Sequence, residues 1–333
     1  MDIKFDKIYY EPAVLEYELG KNLKSKYKSL PWIEIESHNK IIELSSMENK
    51  SFPSLKQHLI LGVRKTHKYV ENHKISDWLV PYTSSGCRAM CLYCYLVCNY
   101  NKCSYLRLFV NRDQMMERLL KFDNSSEFPQ TFEIGSNSDL VLENTITDNL
   151  CWTIETFAHK GNGNLTFPTK FNMVEPLLNL NHKGKTIFRM SVNPDEIIRK
   201  VEFGTSLLLD RIKALNCMAD AGYPVGLLIA PVILIPGWQK LYDELIDILA
   251  DNLSSKVKES GFIEIILMTY SFVHNAINND AFPNAIQIFD RQLMTGRGRG
   301  KYCYKENIRQ EAEIFLRKTI NEKLPSMKII YIS

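Results

Sequence analysis

From about Asp77 onward, short β-rich runs alternate with helical stretches, and this alternation limits the fold more than any other feature of the chain. The β-rich runs are 78–82, 130–135, 165–169, 186–192, 225–233 and 262–268. Between them lie helical stretches at 114–122, 147–159, 174–180, 207–221 and 239–254. Repeated β-then-α units build a parallel sheet whose connections run over its face as helices. Six units predict an α/β fold, an open partial (β/α)6 barrel of the TIM type rather than a closed eightfold one. The 333 residues then divide into an N-terminal α/β flanking segment (1–76), the partial barrel (77–290) and a C-terminal hairpin, helix and strand (291–333). Helical character at Val14 to Tyr27 and a strand at Trp32 to Ile35 belong to the first segment. A helix at 306–323 and a strand at 327–332 belong to the last. Both ends are expected to pack on the barrel flanks rather than fold alone.

The first strand runs into Ser85-Gly86-Cys87-Arg88-Ala89-Met90-Cys91-Leu92-Tyr93-Cys94-Tyr95, where three cysteines stand in the spacing Cys-x3-Cys-x2-Cys. Three thiolates on one loop can hold three irons of a [4Fe-4S] cluster and leave the fourth without a protein ligand. An open iron can bind and activate a small molecule, as the open position of a catalytic metal does. That is the pattern of radical S-adenosylmethionine enzymes. Two plainer readings compete. Cys98 and Cys103 follow closely, so a structural four-cysteine zinc site on a nucleic-acid-binding protein is an alternative. A disulfide framework is the other, and a chain this long has core enough to need no staples. The position after a strand, with aromatic neighbours at Tyr93 and Tyr95, favours the cluster.

Composition excludes some classes of function. Hydrophobic residues at 45% and charged residues at 24% are those of a globular protein. The longest apolar run, Val225 to Ile235, is broken by Pro231 and is too short to span a bilayer. The first six residues lack the charged-then-apolar pattern of a signal peptide. Five of the eight cysteines fall between 87 and 103, which suits a reducing cytoplasm. The net charge of +3 makes no global demand for nucleic acid, so local runs matter more. One basic stretch comprises Arg64, Lys65, His67, Lys68, His73 and Lys74; another comprises Arg291, Arg297, Arg299, Lys301 and Lys305. In the second, Gly296, Gly298 and Gly300 alternate with the arginines, and Tyr302 and Tyr304 follow. Such a turn lets backbone approach a phosphate chain while cations neutralise it, although a solvated face is the commoner fate of a charge run.

Ligands of parallel α/β sheets sit at the carboxyl ends of the strands. The polar residues there are the cysteine loop, Glu133 to Asp139, Thr169-Lys170, and Ser191 with Asn193. Singly, each has a bland reading: Ser138-Asp139 as a helix cap, Asn193-Pro194 as a turn, Lys170 as a surface lysine. Their coincidence beside the cysteines is the stronger signal.

Taken together the motifs resemble the spore photoproduct lyase family. The resemblance is carried by the cysteine loop and its continuation Tyr95-Leu96-Val97-Cys98-Asn99-Tyr100-Asn101-Lys102-Cys103, and by Tyr105 to Asn111. It continues in Phe132-Glu133, Ser138-Asp139, Thr169-Lys170, Ser191-Val192-Asn193, Phe203-Gly204-Thr205, Ala221-Gly222-Tyr223-Pro224, Ala230-Pro231, Gly237-Trp238 and Gly300-Lys301-Tyr302. It runs from the cysteine loop to the C-terminus, and the N-terminal segment matches poorly. The family repairs the thymine dimer that ultraviolet light forms in spore DNA, which implies a carbon–carbon lyase converting 5-thyminyl-5,6-dihydrothymine to two thymines by a 5′-deoxyadenosyl radical. Carried over, Cys87, Cys91 and Cys94 ligate the [4Fe-4S] cluster. Ser138, Asp139, Lys170, Ser191 and Asn193 line the S-adenosylmethionine site, with Ala230 near the adenine. Tyr93 and Tyr95 match tyrosines that return a hydrogen atom to the cofactor, and Arg297, Arg299, Lys301 and Tyr302 match a hairpin that meets the lesion. The resemblance also implies damaged DNA as partner, an electron donor such as flavodoxin or ferredoxin, a monomer, no membrane, and the cytoplasm of the spore core.

One position departs from the family. Where its well-known members carry a cysteine that quenches the product radical, this chain has Ser136. A serine O–H bond is far stronger than a thiol S–H bond, so Ser136 is no equivalent hydrogen-atom donor. Three explanations follow: Cys303 on the lesion-facing turn serves instead, Tyr93 or Tyr95 quenches directly, or the substrate is another nucleic acid or a peptide.

Overall fold

In a computed structural model that describes residues 4–333, the expected strands form one curled sheet. Its spatial order is Lys328–Ile332, Phe262–Leu267, Val225–Val232, Thr186–Val192, Asn164–Thr169, Thr131–Glu133, Trp78–Leu79 and Val70–Glu71. All neighbours are parallel except the last pair. Helices Arg112–Asn124, Asn149–Lys160, Leu208–Asp220, Trp238–Asn252 and Glu306–Lys323 lie in the crossovers. The α/β partial barrel of the TIM type is therefore the architecture.

The structure departs from expectation in two elements. The predicted helix over 174–180 is a single 3₁₀ turn, Glu175–Leu177. So short a stretch cannot recover the cost of helix nucleation, and Tyr223 Oη donates to the Leu177 carbonyl at 2.7 Å, taking up the acceptor a longer helix would use. The C-terminal strand is no flank: Lys328–Ile332 pairs in parallel with Phe262–Leu267 and becomes the seventh parallel strand. Its partner is some sixty residues away, and nothing local in its sequence names it.

Inside the curl the lumen is polar where a closed barrel would be filled by aliphatic layers. Arg189 and Ser191, two apart on one strand, point the same way. Arg189 is clamped between Glu133 at 2.5 Å and Glu264 at 3.1 Å, and Tyr331 Oη donates to Glu264 at 2.6 Å. Phe132, Phe157, Phe167 and Phe188 are buried between sheet and helices, with edge-on ring contacts that include 6.2 Å for Phe132–Phe157 and 5.8 Å for Phe167–Phe188.

A second sheet has the order Trp32–Glu34, Lys7–Tyr10, His58–Gly62, Leu106–Phe109, Ser84–Ser85. Its last two strands come from beyond residue 76, so the N-terminal segment builds its core jointly with the stretches flanking the cysteine loop. Both sheets thus grip that loop. A third sheet joins Thr269–Ser271 to the C-terminal hairpin, Met294–Gly298 and Lys301–Tyr304.

Candidate active site

The cysteine loop opens with Gly86 at φ 75°, where a Cβ would lie 1.9 Å from the Tyr105 carbonyl oxygen. Only glycine fits there. Gly86 N–H donates to Asn137 O at 2.8 Å, and Cys87 N–H donates to Ser104 O at 3.1 Å. Met90–Cys91 pairs antiparallel with Glu202–Phe203, and Leu92 N–H donates to Val201 O at 3.0 Å. Beneath the loop lies Lys56, fully enclosed, whose Nζ donates to Cys87 O at 2.8 Å, Ser104 O at 2.6 Å and Ser104 Oγ at 2.9 Å. Burial lowers the Lys56 pKa, and the neighbouring Cys94, Cys87 and Cys91 counter that effect when they are thiolates. The same burial pushes the Cys87 thiol up to about 12.

These residues suit a [4Fe-4S] cluster. All three cysteines are free, and Cys87 and Cys91 are buried while Cys94 is half-buried. Among the described residues no three His, Cys, Asp or Glu side chains converge as the ligands of one ion must. Each thiolate of a four-iron cube holds its own iron, so its ligands stand further apart than those of one zinc. The two cysteines that a zinc site would borrow are engaged elsewhere: Cys98 Sγ lies 3.4 Å from Ser271 Oγ, and Cys103 packs against the cluster that holds Tyr9, Ile60 and Tyr105. Among the described residues the buried Ser138 hydroxyl beside the loop has no partner, a free polar group where a bound molecule would need one.

The strand ends assemble around the loop. Lys170 Nζ donates to Ser191 Oγ and to Ala230 O at 3.0 Å, lies 3.9 Å from Glu202 Oε1, and sits 5.7 Å from the centre of the Tyr93 ring. Ser191 Oγ donates to the same Ala230 carbonyl at 3.0 Å. Lys170, Ser191 and Ala230 are thereby one cluster. Asp139 and Asn193 are committed to structure. Asp139 caps the Leu140–Asn144 helix through Leu142 N–H at 3.1 Å and accepts from Thr169 Oγ1 at 2.8 Å and Lys170 N–H at 3.0 Å. Burial raises its pKa against those bonds. Asn193 donates to Glu202 at 2.8 Å and accepts from Tyr242 Oη at 3.1 Å.

Sequence reasoning missed the centre of this network, Glu202. The carboxylate is fully buried and accepts from Tyr93 Oη, from Asn193 and from Arg211 Nη2 at 2.6 Å. Burial alone would raise its pKa; Arg211 and Lys170, with the Tyr93 and Asn193 bonds, hold it at about 2. Its signal was adjacency to Phe203-Gly204-Thr205. Lys56 was missed because it lies in the poorly matching N-terminal segment.

The remaining candidates divide. Tyr93 is buried with its hydroxyl given to Glu202, whereas Tyr95 is 51% exposed. Ser136 is half-buried in the loop after Thr131–Glu133. Cys303 pairs with Thr269 and Thr295, both exposed, and faces away from the side on which Tyr304 Oη meets Leu234 N–H at 2.9 Å. At the hairpin tip, Arg299 (φ 51°) and Gly300 (φ 69°) form a two-residue turn with both dihedrals positive, and Arg297 is the extra residue of a bulge. Arg297, Arg299 and Lys301 are exposed and Tyr302 is half-buried. The other basic run is dispersed: Arg64 Nε donates inward to Tyr82 O at 2.8 Å, and Lys74 Nζ reaches Ser333 Oγ at 2.8 Å.

Residues 3–333 match the family model described as spore photoproduct lyase. The chain belongs to that family. The spore photoproduct lyase of Bacillus subtilis (strain 168) is 33% identical, over 97% of each chain. That of Clostridium acetobutylicum is 29% identical over 100% of each. A solved spore photoproduct lyase complexed with dinucleoside spore photoproduct superposes with a TM-score of 0.92 at 29% identity, covering 100% of both chains. So does a doubly substituted variant with bound AdoMet and dinucleoside spore photoproduct. Family membership covers the N-terminal segment too, which the motifs alone matched poorly.

Proposed function

We propose that this chain is a radical S-adenosylmethionine lyase that reverses spore photoproduct to two thymines in DNA. The observation that carries the reading is the three-cysteine loop set against the Lys170, Ser191 and Ala230 cluster in a chain of this family. When bound, a [4Fe-4S] cluster and S-adenosylmethionine supply a 5′-deoxyadenosyl radical. Cys87, Cys91 and Cys94 would hold the cluster. Lys170, with two donors satisfied, keeps a third for the methionyl carboxylate, a charge-assisted contact, and the unpartnered Ser138 hydroxyl offers another. Ser191 aims Lys170, while Asp139 and Asn193 act from beneath by fixing the strand ends that carry the cluster.

The lesion enters at the mouth beside the hairpin, where Arg297, Arg299 and Lys301 neutralise phosphate and Tyr302 supports the turn. A damaged step extrudes at lower cost than a stacked one. Ser136 leaves the final hydrogen transfer to another group. Tyr95, half exposed, suits direct donation better than Tyr93, whose O–H is held by Glu202, and Cys303 on its open face is the thiol alternative. Flavodoxin or ferredoxin fits as reductant, with the protein acting as a monomer in the spore core. Among the described residues no helix is long and apolar enough to cross a membrane.

Anaerobic reconstitution followed by incubation with dinucleoside spore photoproduct and S-adenosylmethionine tests the reading, with released thymine as the product measured. No thymine from a fully iron-loaded protein that still cleaves S-adenosylmethionine would reject it. A Ser136→Cys variant is expected to raise the yield of clean thymine; lyase activity gained only in that variant would show that the pocket fits the dimer and that the hydrogen donor is what the chain lacks.

A further inference from the structure

The cysteine loop is held from one side by Lys56, Ser104 and Val201. From the other side it is held by a helix that begins where the hairpin sheet ends. Thr269–Ser271 pairs with the hairpin strand Lys301–Tyr304, placing Tyr270 opposite Tyr302. The Tyr302 ring packs on Phe272 at 5.1 Å and Phe289 at 5.0 Å, and Tyr270 stacks on Phe289 at 5.5 Å and on His274 at 5.1 Å. Ser271 caps the following helix, Phe272–Ala281, in a capping box whose second member is His274 rather than the usual acid or amide.

His274 then reaches the cysteines. Its Nε2 lies 2.8 Å from the Cys94 carbonyl oxygen, which can only accept, so Nε2 carries the proton and Nδ1 accepts from Ser271 N–H at 3.1 Å. One turn on, Asn278 Nδ2 donates to Leu92 O at 2.8 Å and to Tyr270 Oη at 3.0 Å. Ile277, between them, packs with Phe52 and Val97, and Cys94 lies against the same cluster. The chain of contact from Tyr302 through Tyr270 and His274 to Cys94 has no gap.

We propose that His274 and Asn278 are positioning residues that couple the hairpin to the cysteine loop, so that DNA engaged by the hairpin tightens the loop that holds the cluster. This rests on the hairpin being the DNA contact. The tip is tied to the helix start by Phe272 N–H donating to Gly300 O at 3.1 Å, while the Arg297 and Arg299 side chains stand exposed, so ordering them on DNA steadies the sheet and helix behind the tip. Radical formation would then be favoured with DNA in place, which protects the site from idle cofactor cleavage.

Hydrogen exchange on the full chain without its cluster tests this directly. A double-stranded oligonucleotide is expected to slow exchange of amides 92–98 by about tenfold, corresponding to roughly 1.4 kcal/mol of local opening free energy. His274→Leu and Asn278→Leu should bind the duplex yet lose that protection, and His274→Gln, which keeps a donor, should restore it. In the reconstituted enzyme, His274→Leu leaves the Cys94 carbonyl dipole uncompensated beside the cluster. The ratio of reduced to oxidised cluster at a fixed poise should fall about threefold, a shift of roughly 30 mV for one electron. Unchanged exchange in a wild-type protein that has bound duplex would overturn the coupling, as would Leu variants that keep it. If wild type fails to bind duplex, or binds it equally without Arg297 and Arg299, the reading of the hairpin itself falls and takes the coupling with it.

Discussion

The cysteine loop and the hairpin tip are both short turns with a positive-φ glycine, and they are built in opposite ways. Around Gly86 three carbonyls of the loop are held by side chains: Lys56 on Cys87 O, His274 on Cys94 O, Asn278 on Leu92 O. Around Gly300 no side-chain bond holds the tip among the described residues, and Arg297, Arg299 and Lys301 stand in solvent. A metal centre needs its ligands fixed before the metal arrives, and burial makes each missing bond there expensive. A phosphate contact needs only charge within reach, which water and mobility do not spoil. Substitutions in the first region should therefore cost stability and cofactor together, and those in the second should cost affinity alone.

The largest effect is expected from Cys91→Ala, which removes an iron ligand: iron and labile sulfide per chain should fall, and thymine release should drop below detection. Next comes Glu202→Ala, which leaves the fully buried Arg211 unpaired. Breaking such a pair costs about 3–5 kcal/mol, readable as a lowered midpoint in denaturant. Lys56→Met strips Cys87 O of its donor, at about 1–3 kcal/mol for the acceptor left buried, while Ser104 O keeps Cys87 N–H at 3.1 Å, and should reduce cluster loading in proportion. The smallest expected effect on stability separates the two regions most sharply. Arg299 holds φ 51°, so Arg299→Gly relieves strain and should leave the midpoint unchanged or raise it by up to about 1 kcal/mol. The same variant should weaken duplex binding and reduce the salt dependence of log K by about 1. A large loss of stability there would break the comparison.

Acid sharpens it further. Glu202 is ordinarily a carboxyl near 4.5 and is held at about 2 in the fold, so its stabilisation is complete above about 4.5 and is lost as pH falls toward 2. That shift corresponds to about 3 kcal/mol. Glu11, also held at about 2 although burial opposes it, loses its bonds to His38 and Val63 in the same window. The difference between wild type and Glu202→Gln, followed as Tm from pH 5 to pH 2, isolates the Glu202 share. Equal slopes in the two proteins would show that Glu202 is not the titrating group.

Much of the barrel was legible because its signals are local. The run Thr186–Val192 alternates around Arg189 and Ser191, and Val225–Val232 is a short apolar run bounded by turn residues. The cysteine spacing was equally plain. The helix expected at 174–180 failed because a 3₁₀ turn capped by a distant tyrosine replaces it, and Lys328–Ile332 was misplaced because its partner strand is remote. Of the candidate site, Lys170 and Ser191 lie together at strand ends and share the carbonyl of Ala230, a residue that only the resemblance had supplied, while Asp139 and Asn193 are also bonded into the scaffold.

The sequence by itself determined the fold class, the three thiols and the family, because periodicity, spacing and motif order are properties of the chain. Only the tertiary structure decided which charges meet. Glu202 with Arg211, Lys56 under Cys87 and His274 on Cys94 join residues from 9 to 180 positions apart. Their strength comes from the exclusion of water, and a buried pair and a solvated pair read alike until the chain has closed around them.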